Sequence, residues 1–150
     1  MMKYRGSCLC GKVQFLVHKE IQTIYHCHCS LCRKQSGTGS NAATLISESF
    51  FEWLSATDLI ATFKKDSGFT SCFCTCCGSP VPNRVGTSQL IWIPLGLLHD
   101  APAMKQRLGL CLNSKIDWAP VLNTDREYLE LPDWDELAQY FDSSHSPDIE

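Results

Sequence analysis

Ten cysteines, at positions 8, 10, 27, 29, 32, 72, 74, 76, 77 and 111, constrain this chain more than any other feature. Nine of them fall into three tight groups: C-x-C at 8–10, C-x-C-x-x-C at 27–32 and C-x-C-x-C-C at 72–77. Neighbours this close pair poorly with one another as disulfides, whereas their thiolates converge well on a soft cation. Disulfide-dense secreted domains are usually shorter than this 150-residue chain and carry an apolar leader. The opening Met1-Met2-Lys3-Tyr4-Arg5-Gly6 has no such apolar segment. Metal binding is therefore the expectation, in a soluble cytoplasmic protein.

A chain of this length can bury a substantial core, and 44% hydrophobic residues with 19% charged ones supply an ordinary globular balance. No apolar run approaches the roughly 20 residues that span a bilayer, so no membrane partner is expected. A formal charge of -3, with no dense basic stretch, argues against nucleic acid.

Val13, Phe15 and Val17 alternate on one face, which predicts a half-buried strand over 12–18 after a first strand from Lys3. Further strands are expected over 21–28, 42–46, 50–54, 59–64, 69–74, 89–94 and 108–112. Gly6-Ser7-Cys8-Leu9-Cys10-Gly11 and Cys74-Thr75-Cys76-Cys77-Gly78-Ser79-Pro80 read as glycine-flanked knuckles. Arg33 to Ser40 reads as a polar or single helical turn running into a Gly-rich loop. Asp133 with Glu136 resembles a capping box, and Trp134, Leu137, Ala138 and Phe141 fall at helical spacing, so a short amphipathic helix should cover the sheet. The expected fold is mainly β, with small antiparallel sheets held by zinc knuckles and a short C-terminal helix. One domain is expected over 1–141, with a flexible tail over 142–150.

Cys8 and Cys10 with Cys74 and Cys77 form the first candidate site. Two knuckles giving two thiolates each resemble a zinc-ribbon closure, and metal binding to such a site appears as folding free energy, on the order of 10 kcal/mol. Cys72 and Cys76 are alternative ligands there. Cys27, Cys29 and Cys32 form the second site, with no fourth ligand evident. Spacing alone leaves two readings of it open. One is a catalytic zinc with a free position for water or a thiol. The other is a second structural zinc closed by His26, His28 or a distant residue.

The remaining candidates carry less chemistry. Arg33 and Lys34 follow the second cluster and could meet the carboxylates of an anionic thiol. Ser36 to Ser40 could cradle a peptide-like ligand through backbone amides, and Trp118 could line a pocket. His18, His99 and His145 stand alone. There is no P-loop, nucleotide fingerprint or G-x-S-x-G elbow.

Three stretches together resemble the glutathione-dependent formaldehyde-activating enzymes, whose domain is shared with centromere protein V. They are Gly6-Ser7-Cys8-Leu9-Cys10-Gly11, Cys27-His28-Cys29-Ser30-Leu31-Cys32-Arg33-Lys34 and Phe73-Cys74-Thr75-Cys76-Cys77-Gly78-Ser79-Pro80. Gly96-Leu97-Leu98 and Ser114-Lys115-Ile116-Asp117-Trp118 look like the family's later half. The resemblance implies a β-tent-like fold with two zinc ions per chain. One would be structural, on Cys8, Cys10, Cys74 and Cys77; the other catalytic, on Cys27, Cys29 and Cys32. It settles the open choice at the second site toward a free position. It also implies a carbon–sulfur lyase whose partners are a small thiol such as glutathione and a carbonyl compound, joined as S-hydroxymethylglutathione. Ile116-Asp117 stand where the family usually has Ala-Pro, and Gly109 where a histidine is common. These departures lie in the half expected to shape the substrate pocket and leave the metal ligands untouched.

Two competing readings are a non-catalytic zinc-stabilised binding or scaffold protein, and a thiolate switch that releases zinc on oxidation.

Overall fold

The most apolar stretches of the chain lie side by side in the middle of one sheet. The structure is a computed structural model that describes residues 3–141; the expected tail at 142–150 lies outside them. In chain order the strands and helices are β1 (Tyr4–Ser7), β2 (Gln14–Val17), β3 (Thr23–Cys27), α1 (Ser30–Ser36), β4 (Asn41–Ser47), β5 (Phe51–Ser55), β6 (Ile60–Lys64), β7 (Thr70–Cys74), β8 (Pro80–Val81), β9 (Asn83–Arg84), β10 (Leu90–Pro94), β11 (Gln106–Leu110), β12 (Arg126–Glu127) and α2 (Trp134–Ala138). They form a six-stranded sheet in the order β12-β11-β3-β4-β10-β9, flanked by three-stranded sheets β1-β2-β5 and β6-β7-β8. The mainly β expectation with a short C-terminal helix holds.

The central sheet is apolar on both faces because both faces are covered. Tyr25, Ala43, Leu45, Trp92, Leu108 and Leu110 pack on one side with Leu137 and Phe141 from the α2 region. Ile24, Ile46, Ile91 and Ile93 pack on the other against Tyr4, Phe15 and Val17 of the first sheet. Period-two alternation sends neighbours such as Leu45 and Ile46 to opposite layers, so the strands read as continuous apolar runs. The predicted face of Val13, Phe15 and Val17 is fully buried.

A five-residue helix is too short to be stable alone. Burial of Leu137 and Phe141 holds α2 in place, each contributing about 1.5–3 kcal/mol. The capping box does not form. Asp133 is the N-cap but makes no side-chain cap bond, and Glu136 instead accepts from the Tyr128 hydroxyl at 2.8 Å. Trp134 remains 47% exposed, so the covering face is narrower than the spacing suggested.

Most strand pairs are antiparallel, but β11 runs parallel to β3 and to β12. Parallel neighbours need a crossover, and everything from α1 to β10 lies between β3 and β11. This pairing matters for the site because it sets Leu110 opposite Cys27. No helix among the described residues is long and apolar enough to cross a membrane.

Candidate metal centres

The first knuckle begins where β1 ends. Cys8 N–H donates to Val13 O at 3.0 Å and Val13 N–H donates to Cys8 Sγ at 3.3 Å, so the backbone curls around the sulfur. Gly11 has φ of +82° and donates to Cys8 O at 3.0 Å, a conformation that is cheap only without a Cβ. The second knuckle repeats the device: Gly78, at φ +80°, donates to Cys74 O at 2.7 Å. Cys8, Cys10, Cys74 and Cys77 thereby bring four sulfurs within 4.8 Å of one another. Cys8 and Cys10 are 3.6 Å apart, and Cys10 and Cys74 are 3.9 Å apart. Zinc–sulfur bonds of about 2.3 Å at tetrahedral angles require sulfur–sulfur edges of about 3.8 Å. The donor set and spacing fit a four-thiolate metal. The Ser79 amide holds the Cys77 thiol down to about 6, so one member of the group ionises readily.

Cys72 and Cys76, the alternative ligands, stay outside this group. Cys72 pairs with the Thr62 hydroxyl at 3.3 Å, and Cys76 is exposed in the turn.

The second group is built at the β3–α1 junction. Cys27 is the last residue of β3, Cys29 is the N-cap of α1, and Cys32 lies in its first turn. A helix, rather than a simple turn, brings Cys32 back. Cys32 N–H donates to Cys29 Sγ at 3.3 Å, and Gly37 ends the helix in the left-handed region at φ +71°. The three sulfurs lie within 4.8 Å of one another, with Cys27 buried and the other two half-buried. Thiol hydrogen bonds from Cys27, then Cys32, draw Cys29 down to about 2, while Cys27 is driven up. Three sulfurs this close cannot all ionise without a cation between them, so the first charge falls on Cys29.

Neither His26 nor His28 joins these thiols among the described residues. Alternation puts His26 on the face of β3 opposite Cys27. Burial, and then the charge of Arg107, push His26 down to about 4, and its Nε2 is buried without a hydrogen bond. His28 is 3% exposed; burial lowers its pKa and the Lys115 charge adds to this. Both are held neutral.

The surroundings are the loop after α1 and the 111–119 segment. A Cβ at Gly39 would stand 2.8 Å from Ala119 Cβ and 3.3 Å from Trp118 Cζ3, so these two segments touch. The hydroxyls of the loop after α1 bond the chain itself. Ser36 Oγ donates to Cys32 O at 2.9 Å and pairs with Thr38 Oγ1 at 2.8 Å, and Thr38 Oγ1 donates to Ser40 O at 2.8 Å. Lys115 Nζ donates to Ala119 O at 2.8 Å, and Trp118 is 66% exposed. Arg33 is half-buried with its Nε unpartnered, while Lys34 is exposed. His18 pairs with Glu52 at 2.8 Å and His99 with Ser7 at 3.0 Å, and neither belongs to a thiol group among the described residues. His145 lies outside the described residues.

Sequence reasoning assigned no role to Cys111, whose Sγ lies 3.9 Å from Cys27 Sγ. No spacing rule reaches from 32 to 111; only the parallel pairing of β11 with β3 brings them together.

The family model for glutathione-dependent formaldehyde-activating enzymes matches residues 3–113, which include all seven clustered thiols. The chain belongs to that family. A protein of Halomonas elongata, named provisionally as a glutathione-dependent formaldehyde-activating enzyme, is 27% identical over 146 residues, covering 88% of this chain and 90% of its own. A crystal structure of a Rhodobacter sphaeroides protein shares the fold, with a TM-score of 0.54 at 17% identity over 66% of this chain and 91% of that one. The family is named for formaldehyde activation with glutathione.

Proposed function

We propose that this chain forms or breaks the carbon–sulfur bond of a small thiol adduct, of which S-hydroxymethylglutathione is the type, at Cys27, Cys29 and Cys32. The observation that carries the reading is the convergence of three thiols within 4.8 Å at a half-buried junction, separate from the group formed by Cys8, Cys10, Cys74 and Cys77. Three ligands leave one position of a tetrahedron for an incoming group. Cys8, Cys10, Cys74 and Cys77 would hold a structural zinc, and Cys27, Cys29 and Cys32 a catalytic one. Zinc at the second group would supply Lewis acidity and keep an entering thiol deprotonated at neutral pH.

The chain's own residues define the rest. Cys27 and Cys29 are positioned by the strand end and the helix cap, which sets two of the three ligands on regular elements. Arg33 and Lys34, one and two residues beyond Cys32, would bring positive charge toward the carboxylates of a thiol such as glutathione. In the forward direction the thiol adds across a carbonyl. One carbon–sulfur bond forms, the carbonyl π bond opens, and the thiol proton ends on the new hydroxyl oxygen. The reverse step returns that proton to sulfur. Thiolate metal sites need cysteines kept reduced, which supports placement in the cytoplasm.

Exchange between free formaldehyde with glutathione and S-hydroxymethylglutathione, followed by two-dimensional exchange NMR, tests the reading. Zinc-loaded wild type should accelerate exchange and Cys29→Ser should return it to the uncatalysed rate. Wild-type exchange at the uncatalysed rate, with glutathione and with other small thiols, would favour the scaffold reading.

A further inference from the structure

Cys111 has no part in the site as described above, yet the fold aims it there. It follows directly on β11, where Leu110 lies opposite Cys27 and accepts the His28 amide at 2.9 Å. Leu112 N–H donates to Tyr128 O at 3.0 Å and Ser114 N–H to Cys111 O at 3.0 Å, so the backbone is pinned on the far side as well. Between these anchors Cys111 adopts φ +59° and ψ +45°. A residue with a Cβ is disfavoured there, and glycine would be the unstrained choice. The side chain at this position is a half-buried thiol 3.9 Å from Cys27 Sγ. That separation equals the Cys10–Cys74 edge in the four-thiol group and the roughly 3.8 Å edge of a tetrahedral zinc thiolate. The sulfur approaches three thiols that already converge and lack one member of a tetrahedron. It stands against Cys27, outside the mutual 4.8 Å of the three, so a side-chain rotation separates contact from coordination.

We propose that Cys111 is a fourth thiolate of the Cys27–Cys29–Cys32 metal site, bound in the resting protein and displaced by an entering thiol. The proposal rests on the thiol-adduct reading and narrows it. Cys111 leaves as a thiol, taking the proton that the entering thiol gives up; one metal–sulfur bond breaks, one forms, and the charge of the site is unchanged. Water competes poorly with a resident thiolate, so thiols are the class of ligand that opens the site.

Cys111→Gly tests this cleanly because glycine suits the left-handed backbone while removing the sulfur; Cys111→Ser is the second variant. Full-length chains saturated with zinc are titrated with a chelator and the retained metal is counted. Both variants should bind two zinc ions but lose one of them at a chelator concentration at least about tenfold below wild type, the lower end of what losing a supporting partner costs a metal site. In cobalt-loaded protein, 2-mercaptoethanol should raise the sulfur-to-cobalt charge-transfer intensity of Cys111→Gly, which gains a thiolate, and leave wild type unchanged, which exchanges one. If Cys111→Gly holds both zinc ions as tightly as wild type, or wild-type intensity rises on adding the thiol, Cys111 is not a ligand. Cys29→Ser separates the two levels. Should it lose one zinc while Cys111→Gly loses none, only the Cys111 proposal falls. Should it retain two, the three-cysteine site and Cys111 fall together.

Discussion

The sulfur of Cys10 lies 3.9 Å from that of Cys74, although 64 residues separate them in sequence. A metal at this point ties the turn after β1 to the end of β7, and so joins two sheets that share no strand. Around it Cys8, Val13, Cys74 and Val81 form a small buried core, with Trp53, Leu59 and Ile60 packed against it. Cys74→Ser should therefore unfold or aggregate. In urea, chelator should lower the unfolding midpoint of wild type sharply, consistent with metal binding worth on the order of 10 kcal/mol of folding free energy. An unchanged midpoint in chelator would mean that the four thiols do not hold the fold.

Gly39 carries a prediction about the wall of the second site. Its hypothetical Cβ would meet Ala119 Cβ at 2.8 Å, and Ala119 is buried, so neither side can yield without moving backbone. Gly39→Ala should cost about 1–3 kcal/mol, as overpacking generally does, and should shift the fluorescence of the adjacent Trp118. Urea unfolding followed by tryptophan emission reads both. A variant as stable as wild type with unaltered emission would show that the loop and the 114–119 segment do not pack as described.

The two candidate sites differ in how readable they were. The seven thiols of both groups were legible because local spacing and glycine-flanked knuckles encode them directly. The strand pattern was legible too, through Val13, Phe15 and Val17. The parallel placement of β11 was not, since Leu108 and Leu110 read the same whichever neighbour covers them. Cys111 shared that blindness: its partner is chosen by sheet order, which no local pattern reports. The expected capping box failed for a different reason, as Tyr128, just after β12 and eight residues earlier, donates to the Glu136 carboxylate.

His26 gives the fold a pH dependence with a defined sign. In the unfolded chain a histidine takes up its proton near 6.5; in the folded protein burial and the Arg107 charge hold the value at about 4, with His28 adding slightly. The unfolded state thus binds more protons between those values, and stability falls as pH drops through the window from 6.5 toward 4. The slope from this group is at most about 1.4 kcal/mol per pH unit. Thiolate protonation acts in the same direction but is common to wild type and His26→Gln, so the variant should show a shallower loss of stability in urea midpoints between about pH 7 and about pH 5. Parallel slopes would exclude His26 as the titrating group.

The central claim is that two separate thiol groups hold two metals with different duties. Counting zinc per chain by mass spectrometry, in wild type and Cys29→Ser purified without chelator, tests it most directly. Wild type should carry two zinc ions, and Cys29→Ser should stay folded and carry one. One zinc in wild type, or an unfolded Cys29→Ser, would contradict it.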